Sequence, residues 1–293
     1  MTQVVAHRGS SADAPEHTLA AYEKAVSDGA DGLECDVRLT ADGHLVCVHD
    51  RRIDRVSDGR GVVSVMTLDD LHRRDFGRAR DAGATRPVRT VGTDDTDPVV
   101  MDEGRRRVLT LERLLELVVD SEREIGLAIE TKHPTRYAGL VEERTVELLR
   151  KFGLARPRSE MDARIRIMSF SQLSVRRVRA LAPGLPTVFL MDRVPLRFRD
   201  GSLPFGAAIS GPSIDIVRSH PRYVERAHRA GAQVHVWTVD EPDDVELCEH
   251  LGVDAIITNR PRAVLAQLGR DVDGSAVPLP SSSPAPLRRS AQG

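Results

Sequence analysis

The chain has few aromatic residues and almost no excess of charge of either sign. Aromatic residues make up 3% of its 293 residues, too few for a surface on which nucleic-acid bases could stack. The formal net charge is −2, so no polyanion-binding surface is indicated. These two shortages predict that nucleic acid is not a partner.

Long apolar runs and paired cysteines are also missing. No stretch approaches the ~20 apolar residues of a membrane span, and no secretion signal is expected ahead of His7. The three cysteines, Cys35, Cys47 and Cys248, include no close pair, which argues against a disulfide framework and is typical of a reducing compartment. We therefore expect a cytoplasmic protein without a stable membrane anchor.

Short apolar runs alternate with amphipathic segments along most of the chain. The candidate strands cover residues 3–6, 32–36, 45–49, 125–130, 165–169, 187–190, 207–210, 233–238 and 255–258. The candidate helices cover residues 18–28, 111–121, 137–152, 172–181, 221–230, 243–250 and 260–268. Such alternation favours a parallel sheet. With about eight strand–helix units, the sequence predicts a closed (β/α)8 barrel, and an open doubly wound sheet is the alternative.

Two regions do not follow this alternation. Residues 50–108 are too long for an ordinary loop, and irregular insertions of this kind are usually functional or disordered. We expect them to form a small insertion, after the second strand region, over one side of the barrel mouth. Residues 271–293 are rich in proline and serine, which predicts a disordered tail. The barrel domain is therefore expected to span residues 1–270.

Polar side chains stand at the ends of the first two candidate strands. The first apolar run is followed by His7 and Arg8, and the second ends in Glu34 and Asp36. Because side chains alternate along a strand, Glu34 and Asp36 share one face, with Cα atoms ~6.5–7 Å apart. Two carboxylates at this spacing can bind one hard divalent cation.

Further polar residues follow the later strands. His49 ends the third run, Glu130 and then Lys132 follow the fourth, and Trp237 stands near the end of a late one. In a (β/α)8 barrel the active site lies at the carboxyl ends of the strands. Histidines exchange protons near neutral pH, and an arginine can hold a pair of phosphate oxygens. Each residue alone is compatible with a structural role, but together they predict a metal-assisted phosphoester hydrolase.

The ordered motifs resemble the glycerophosphodiester phosphodiesterase family over roughly residues 3 to 268. The matching residues are His7-Arg8-Gly9, Pro15-Glu16-His17-Thr18, Glu34-x-Asp36, His49-Asp50, Asp54-Arg55, Leu109-Thr110-Leu111-Glu112, Ile129-Glu130-Thr131-Lys132, Ser169-Phe170 and Gly252-Val253-Asp254-Ala255-Ile256-Ile257-Thr258-Asn259-Arg260-Pro261. The segments 15–18 and 130–134 look most like actinobacterial and mycobacterial members. The resemblance implies a TIM barrel that hydrolyses glycerophosphodiesters to glycerol 3-phosphate and an alcohol.

The family's functional residues can be assigned to this chain wherever its motifs match those of the family. The resemblance implies that Glu34, Asp36 and Glu130 hold one divalent cation, Mg²⁺ or Ca²⁺. It also implies that His7 and His49 are an acid–base pair, with His7 as the acid.

The remaining site predictions concern the substrate and the support of the site. The resemblance implies that Arg8 and Lys132 contact phosphate. Trp237 is expected to contact the substrate, and Glu16 to support the site from outside the ligand set.

Two positions depart from many family members. His17 stands where many have Asn, and Asn259 where many have Asp. We expect a helix-capping or supporting role for His17. Two rival functions stay open, a phospholipase-D-like lyase of the same barrel superfamily and an inactive sensor of glycerophosphodiesters. The sequence does not indicate the headgroup preference, the oligomeric state or the choice between direct water attack and a cyclic phosphate.

Overall fold

The structure is a computed structural model that describes residues 1–77, 103–159 and 163–270, so residues 78–102 of the insertion and the predicted tail lie outside it. The described strands are β1 Gln3–His7, β2 Gly32–Leu39, β3 Leu45–Cys47, β4 Gly126–Thr131, β5 Ile165–Ser169, β6 Thr187–Met191, β7 Ile209–Pro212, β8 Gln233–Val236 and β9 Ala255–Thr258. The described helices are α1 Leu19–Ser27, α2 Leu68–His72, α3 Leu111–Asp120, α4 Leu140–Lys151, α5 Gln172–Leu181, α6 Ile214–Ser219, α7 Arg222–Arg229, α8 Pro242–His250 and α9 Pro261–Gln267. None of the helices in these ranges has the length and apolar content that a bilayer-spanning segment needs.

Eight of the strands close into a parallel barrel. Their order around the barrel is β1-β9-β8-β7-β6-β5-β4-β2, and β2 pairs with β1 to close the ring. Every one of these pairings is parallel, as expected for strands joined by helical crossovers. The predicted closed (β/α)8 barrel is therefore confirmed, and the open sheet is wrong.

The strand register brings polar strand ends to one level. His7 on β1 is aligned with Glu34 on β2, and Asp36 on β2 is aligned with Glu130 on β4. The barrel interior is packed with Val5, Ala128, Met168, Val188, Leu190, Ile209, Ala255 and Ile257. Because neighbouring strands lie ~4.8 Å apart, this register gathers four titratable side chains at the carboxyl end of the barrel.

The third strand is not part of the barrel. β3 pairs antiparallel with the outer part of β2, and the turn between them contains Gly43 in the left-handed region, with φ +86°. The strand predicted over residues 45–49 is thus present over Leu45–Cys47, but it is not one of the parallel barrel strands. The reason is local, because Asp42-Gly43 is a strong hairpin signal that lets the chain fold back on an extended β2. His49 thus follows a hairpin strand and does not end a barrel strand.

Helix boundaries agree with the prediction except at a few places. α4 begins at Leu140, later than predicted, and α6 is an additional short helix after β7. Between β6 and β7 the chain forms only the short 3₁₀ turns Leu196–Phe198 and Pro204–Gly206. These differences leave the carboxyl ends of the barrel strands, where the polar residues lie, unaffected.

The described part of the insertion packs around its own small apolar core. The core side chains are Val46, Val48, Ile53, Val63, Leu71, Phe76 and Val108. Thr67 begins α2 with a capping box, in which its hydroxyl accepts from the Asp70 N–H and the Asp70 carboxylate accepts from the Thr67 N–H. Because the first two core residues belong to the β3 hairpin, this core fixes the segment that carries His49.

Candidate active site

Three buried carboxylates converge at the mouth of the barrel. Glu34 and Asp36 lie on β2 and Glu130 lies on β4, and one oxygen from each lies within 4.8 Å of the others. The three residues are 1%, 1% and 7% exposed. The predicted ligand set is thus brought together, although the insertion separates β2 from β4 in sequence.

The pKa values of the three buried carboxylates are shifted in different directions. Burial, with Asp36 nearby, raises the pKa of Glu34 well above its usual range and the pKa of Glu130 to about 8. Burial also acts to raise the pKa of Asp36, but the hydrogen bond and charge of His17, with Lys132, hold it well below its usual range. A hard divalent cation would favour the ionised form of all three carboxylates. The donor set therefore fits Mg²⁺ or Ca²⁺.

Lys132 lies within this cluster. Its Nζ is 2.8 Å from Glu130 Oε1 and 3.3 Å from Asp36 Oδ1. Burial acts to lower the pKa of Lys132, but the two carboxylates raise it overall, so the ammonium stays charged. The lysine predicted to contact phosphate therefore stands between two of the predicted metal ligands.

His7 is oriented by Asn259, which follows β9. The His7 Nδ1 lies 2.7 Å from Asn259 Oδ1, and Asn259 Nδ2 donates to Asp240 Oδ2 at 2.5 Å. Because the amide nitrogen of Asn259 is committed to Asp240, its oxygen accepts, and His7 Nδ1 is the donor. Burial, with the charge of Arg8, lowers the pKa of His7 to about 4. At neutral pH the ring is therefore uncharged, with its lone pair on Nε2.

His49 is held at its backbone and at its ring. Arg38 donates two hydrogen bonds to the His49 carbonyl oxygen, at 3.0 and 2.8 Å. The ring Nδ1 lies 2.7 Å from Asp50 Oδ1, and Arg55 Nε donates to Asp50 Oδ2 at 2.7 Å. Burial lowers the pKa of His49, and the carboxylates around it offset only part of that shift. His49 is thus part of a His–Asp–Arg chain that extends into the insertion.

Glu16 joins Arg8 to the insertion. Arg8 Nη1 donates to Glu16 Oε1 at 3.1 Å, and Arg55 donates to both Glu16 oxygens, at 2.6 and 2.8 Å. Burial acts to raise the pKa of Glu16, but the hydrogen bond from Arg55 and the charge of Arg8 lower it to about 2. The Arg8 N–H donates to Glu34 Oε2 at 3.0 Å, and its Nε lies 3.1 Å from Asp36 Oδ2. Glu16 therefore connects the predicted phosphate-binding arginine with the segment that supports His49.

His17 contacts the carboxylate cluster directly. Its Nε2 lies 2.9 Å from Asp36 Oδ2, and its Nδ1 lies 2.8 Å from the Tyr22 hydroxyl. The Tyr22 hydroxyl donates to the backbone carbonyl of Glu34 at 3.0 Å. The capping role considered for this residue belongs to Thr18, whose hydroxyl accepts from the Ala21 N–H. His17 instead supports Asp36.

Trp237, directly after β8, contributes an aromatic surface at the mouth. Its Nε1 donates to the Gly211 carbonyl at 2.8 Å, which fixes the ring. Its ring meets Phe170 edge to face, with centroids 5.4 Å apart. Phe170 follows β5, three strands away in the barrel order, so the two rings meet across the mouth. Phe170 is 42% exposed, and this pair presents apolar surface beside the polar cluster.

Several supporting side chains, Asp50 and Arg38 among them, were not predicted as site residues. Asn259 orients His7. Arg55 hydrogen-bonds to Asp50, the partner of His49, and Tyr22 hydrogen-bonds to His17. Asn259 and Arg55 stand in the motifs that carry the family resemblance, so the motifs themselves were the available signal. Tyr22 carries no such signal, since its position on α1 reads as an ordinary apolar helix position.

Known proteins with similar sequences can be compared with this site. A family model described as the glycerophosphoryl diester phosphodiesterase family matches residues 7–263. A Mycobacterium tuberculosis protein named probable glycerophosphodiester phosphodiesterase 1 is 45% identical over 265 residues, which cover 90% of this chain and 92% of that protein. A glycerophosphodiester phosphodiesterase of Caldanaerobacter subterraneus is 31% identical over 272 residues, which cover 90% of this chain and 96% of that protein.

The fold comparison agrees with these matches. The solved structure of an Oleispira antarctica phosphodiesterase in complex with the product sn-glycerol-3-phosphate has a TM-score of 0.72 to this chain. It is 23% identical, and the match covers 92% of this chain and 97% of that one. The match to the family model, residues 7–263, includes every residue of the carboxylate–histidine site. The chain therefore belongs to the glycerophosphoryl diester phosphodiesterase family and is an enzyme of that class.

Proposed function

We propose that the protein hydrolyses glycerophosphodiesters to glycerol 3-phosphate and an alcohol with the help of one divalent cation. The main observation in support of this proposal is the convergence of Glu34, Asp36 and Glu130, whose oxygens lie within 4.8 Å of one another. Hard carboxylate oxygens of this kind suit Mg²⁺ or Ca²⁺. The Oleispira phosphodiesterase, with sn-glycerol-3-phosphate as its product, supports the choice of substrate class.

The protein's own cations complement the metal in this proposal. A bound divalent cation would neutralise phosphate oxygens on which charge develops. The Arg8 guanidinium, anchored on Glu16, has donors suited to paired phosphate oxygens, and Lys132 adds an ammonium. Because an anionic phosphodiester repels nucleophiles, these charges lower the barrier by stabilising the transition state.

His7 and His49 form the proposed acid–base pair. The low pKa of His7, about 4, keeps its Nε2 free to accept a proton at neutral pH. Asp50 accepts from His49 Nδ1 and so stabilises a protonated ring, which suits a proton donor to the leaving alkoxide. These contacts support His7 as base and His49 as acid, the reverse of the assignment that the family resemblance implies.

Further parts of the proposal concern the substrate and the compartment. Trp237, paired with Phe170, would contact the glycerol or headgroup carbons, since aromatic faces pack well against them. A cytoplasmic location is supported by Cys35, Cys47 and Cys248, which are buried free thiols. The nucleophile is either water or the glycerol 2-hydroxyl, and the second route passes through a cyclic phosphate that water opens.

A substrate panel tests the proposal. The purified chain, stripped with EDTA and resupplied with Mg²⁺ or Ca²⁺, would be assayed with glycerophosphodiesters carrying choline, ethanolamine, glycerol or inositol. We expect glycerol 3-phosphate to be released only when metal is added back. Full activity of the stripped protein would contradict the metal site, and a stable cyclic phosphate as the end product would support the rival lyase.

A further inference from the structure

A chain of hydrogen bonds joins the two carboxylate residues of β2. It starts at the backbone carbonyl of Glu34, passes through the Tyr22 hydroxyl and the His17 ring, and ends at the side chain of Asp36. His17 is 5% exposed and Tyr22 is fully buried. Because both ends lie on the same strand, the chain can set the orientation of the Asp36 carboxylate relative to Glu34.

Both ring nitrogens of His17 have a hydrogen-bond partner. Nε2 lies 2.9 Å from Asp36 Oδ2, and Nδ1 lies 2.8 Å from the Tyr22 hydroxyl. The Tyr22 hydroxyl also donates to the Glu34 carbonyl. The His17 ring therefore cannot rotate away without leaving a buried partner unsatisfied.

The backbone around His17 holds the ring in this position. His17 has φ +60°, in the left-handed region that costs a non-glycine residue energy and persists only where the surroundings enforce it. Its N–H donates to the Arg8 carbonyl at 3.1 Å. The next residue, Thr18, is the N-cap of α1, so His17 is fixed between the end of β1 and the start of α1.

The two oxygens of Asp36 have different surroundings. Oδ2 accepts from His17 and lies 3.1 Å from Arg8 Nε, on the side of α1. Oδ1 lies 3.3 Å from the Lys132 ammonium, which also contacts Glu130. The protein therefore holds Oδ2 of Asp36 on the side of α1, whereas Oδ1 faces the carboxylate cluster, where Lys132 is its neighbour.

We propose that His17 is a positioning residue that limits Asp36 to one metal-binding oxygen and so makes the site prefer Mg²⁺ to Ca²⁺. The inference rests on the proposed metal-dependent function. Ca²⁺ takes six to eight oxygens and often uses both oxygens of a carboxylate, whereas Mg²⁺ requires near-octahedral geometry. An Asp36 that offers a single oxygen satisfies the smaller ion better.

Calorimetric titration of the metal-stripped protein with Mg²⁺ and with Ca²⁺ tests this. In His17→Ala we expect Mg²⁺ affinity to fall about 10–100-fold, the usual effect of removing a hydrogen-bond partner of a metal ligand. Ca²⁺ affinity should fall less, because Asp36 Oδ2 then keeps only its contact with Arg8 Nε and can serve more readily as a second ligand atom. The ratio of the two dissociation constants should therefore shift about tenfold toward Ca²⁺.

Two further variants separate positioning from general support of the fold. Tyr22→Phe keeps the His17 ring and removes only its anchor, so it should shift the ratio in the same direction by a smaller factor. Ser10→Ala is the matched control, since it removes another buried hydrogen bond of the same loop, Ser10 Oγ to Asp28 Oδ2 at 2.7 Å. It should leave the ratio unchanged.

Each outcome of the titration is decisive. A wild-type chain that binds neither ion contradicts the proposed function itself. A wild-type chain that binds Mg²⁺ and Ca²⁺ equally, or a preference that stays the same in His17→Ala and Tyr22→Phe, overturns only the role of His17. If His17→Ala does not fold, the comparison of Tyr22→Phe with Ser10→Ala decides the question.

Discussion

His7 and His49 are supported by different parts of the molecule. His7 ends a barrel strand, so its place follows from the register of β1 with β2. His49 follows a hairpin strand outside the barrel, and its ring is held through Asp50 by Arg55 of the insertion. The barrel thus positions one proton-transfer group and the insertion positions the other.

The chemistry of the two supports also differs. The partner of His7 is the neutral amide of Asn259, whereas the partner of His49 is a carboxylate. Burial acts to raise the pKa of Asp50, but the hydrogen bonds from Arg55 and His49 lower it to about 2, so Asp50 stays charged. A carboxylate stabilises a protonated imidazole more strongly than an amide does. Burial lowers the pKa of both histidines, but the support of His49 favours a protonated ring more than the support of His7 does.

Removing either histidine should have the largest effect on turnover. His7→Ala and His49→Ala should each lower kcat by roughly 10²–10⁴, the usual contribution of a positioned acid or base. Neither is a proposed metal ligand, so calorimetry should show an unchanged metal affinity in both. His44→Ala, which removes a half-exposed histidine from the β2–β3 turn, is the control and should behave like the wild type. Loss of metal binding in either variant would make that histidine a ligand.

Removing Asp50, the partner of His49, should lower turnover more than removing Asn259, the partner of His7. Asp50→Ala removes a hydrogen bond to a charged group, worth about 1.5–3 kcal/mol, so kcat should fall roughly 10–150-fold. Asn259→Ala removes a neutral hydrogen bond, worth about 0.5–1.5 kcal/mol, so kcat should fall only roughly 2–10-fold. Steady-state kinetics would measure both. The reverse order would contradict the distinction between the two histidines.

The insertion should act on the reaction through His49. Arg55 is 45% exposed, so Arg55→Ala should destabilise the fold by only about 1 kcal/mol or less while lowering kcat several-fold. In a double-mutant cycle, the loss should add to that of His7→Ala and become smaller in the His49→Ala background, where only the contacts of Arg55 with Glu16 still matter. Additive losses in both backgrounds would show that Arg55 does not work through His49.

The smallest expected effect is on the pH dependence of stability. Burial lowers the pKa of His7 from 6.5 to about 4, so between these values the unfolded chain binds a proton that the folded chain does not. Stability must then fall as the pH falls through this window. Because His7 is partly exposed, His7→Gln should reduce the loss between pH 7 and pH 5 by only about 1 kcal/mol, measured by urea unfolding. An equal loss in both proteins would contradict the pKa of His7.

The barrel and its carboxylates could be predicted because they follow from local pattern. Apolar runs alternating with amphipathic segments require a parallel sheet, and alternation along β2 puts Glu34 and Asp36 on one face. The sequence predicted a strand over residues 45–49 but not its antiparallel pairing outside the barrel, because its apolar pattern fits a buried strand of either direction. Only the Asp42-Gly43 turn distinguished a hairpin from a crossover.

The side chains that hold the site residues in place come from segments that are distant in sequence and meet only in the folded chain. Asn259 meets His7 because β9 pairs with β1, at opposite ends of the chain. Arg55 meets Glu16 because the insertion packs against the hairpin. No periodicity encodes either contact, so motif matching identified the positions while the structure supplied their roles.

The most direct test of the two-histidine account compares leaving groups. A glycerol phosphodiester with an activated aryl leaving group needs little protonation, so it should restore most of the turnover lost in the variant without the acid. The account predicts rescue of His49→Ala and continued impairment of His7→Ala. Rescue of His7→Ala alone would reverse the roles, and equal impairment of both variants with this substrate would contradict an acid–base pair.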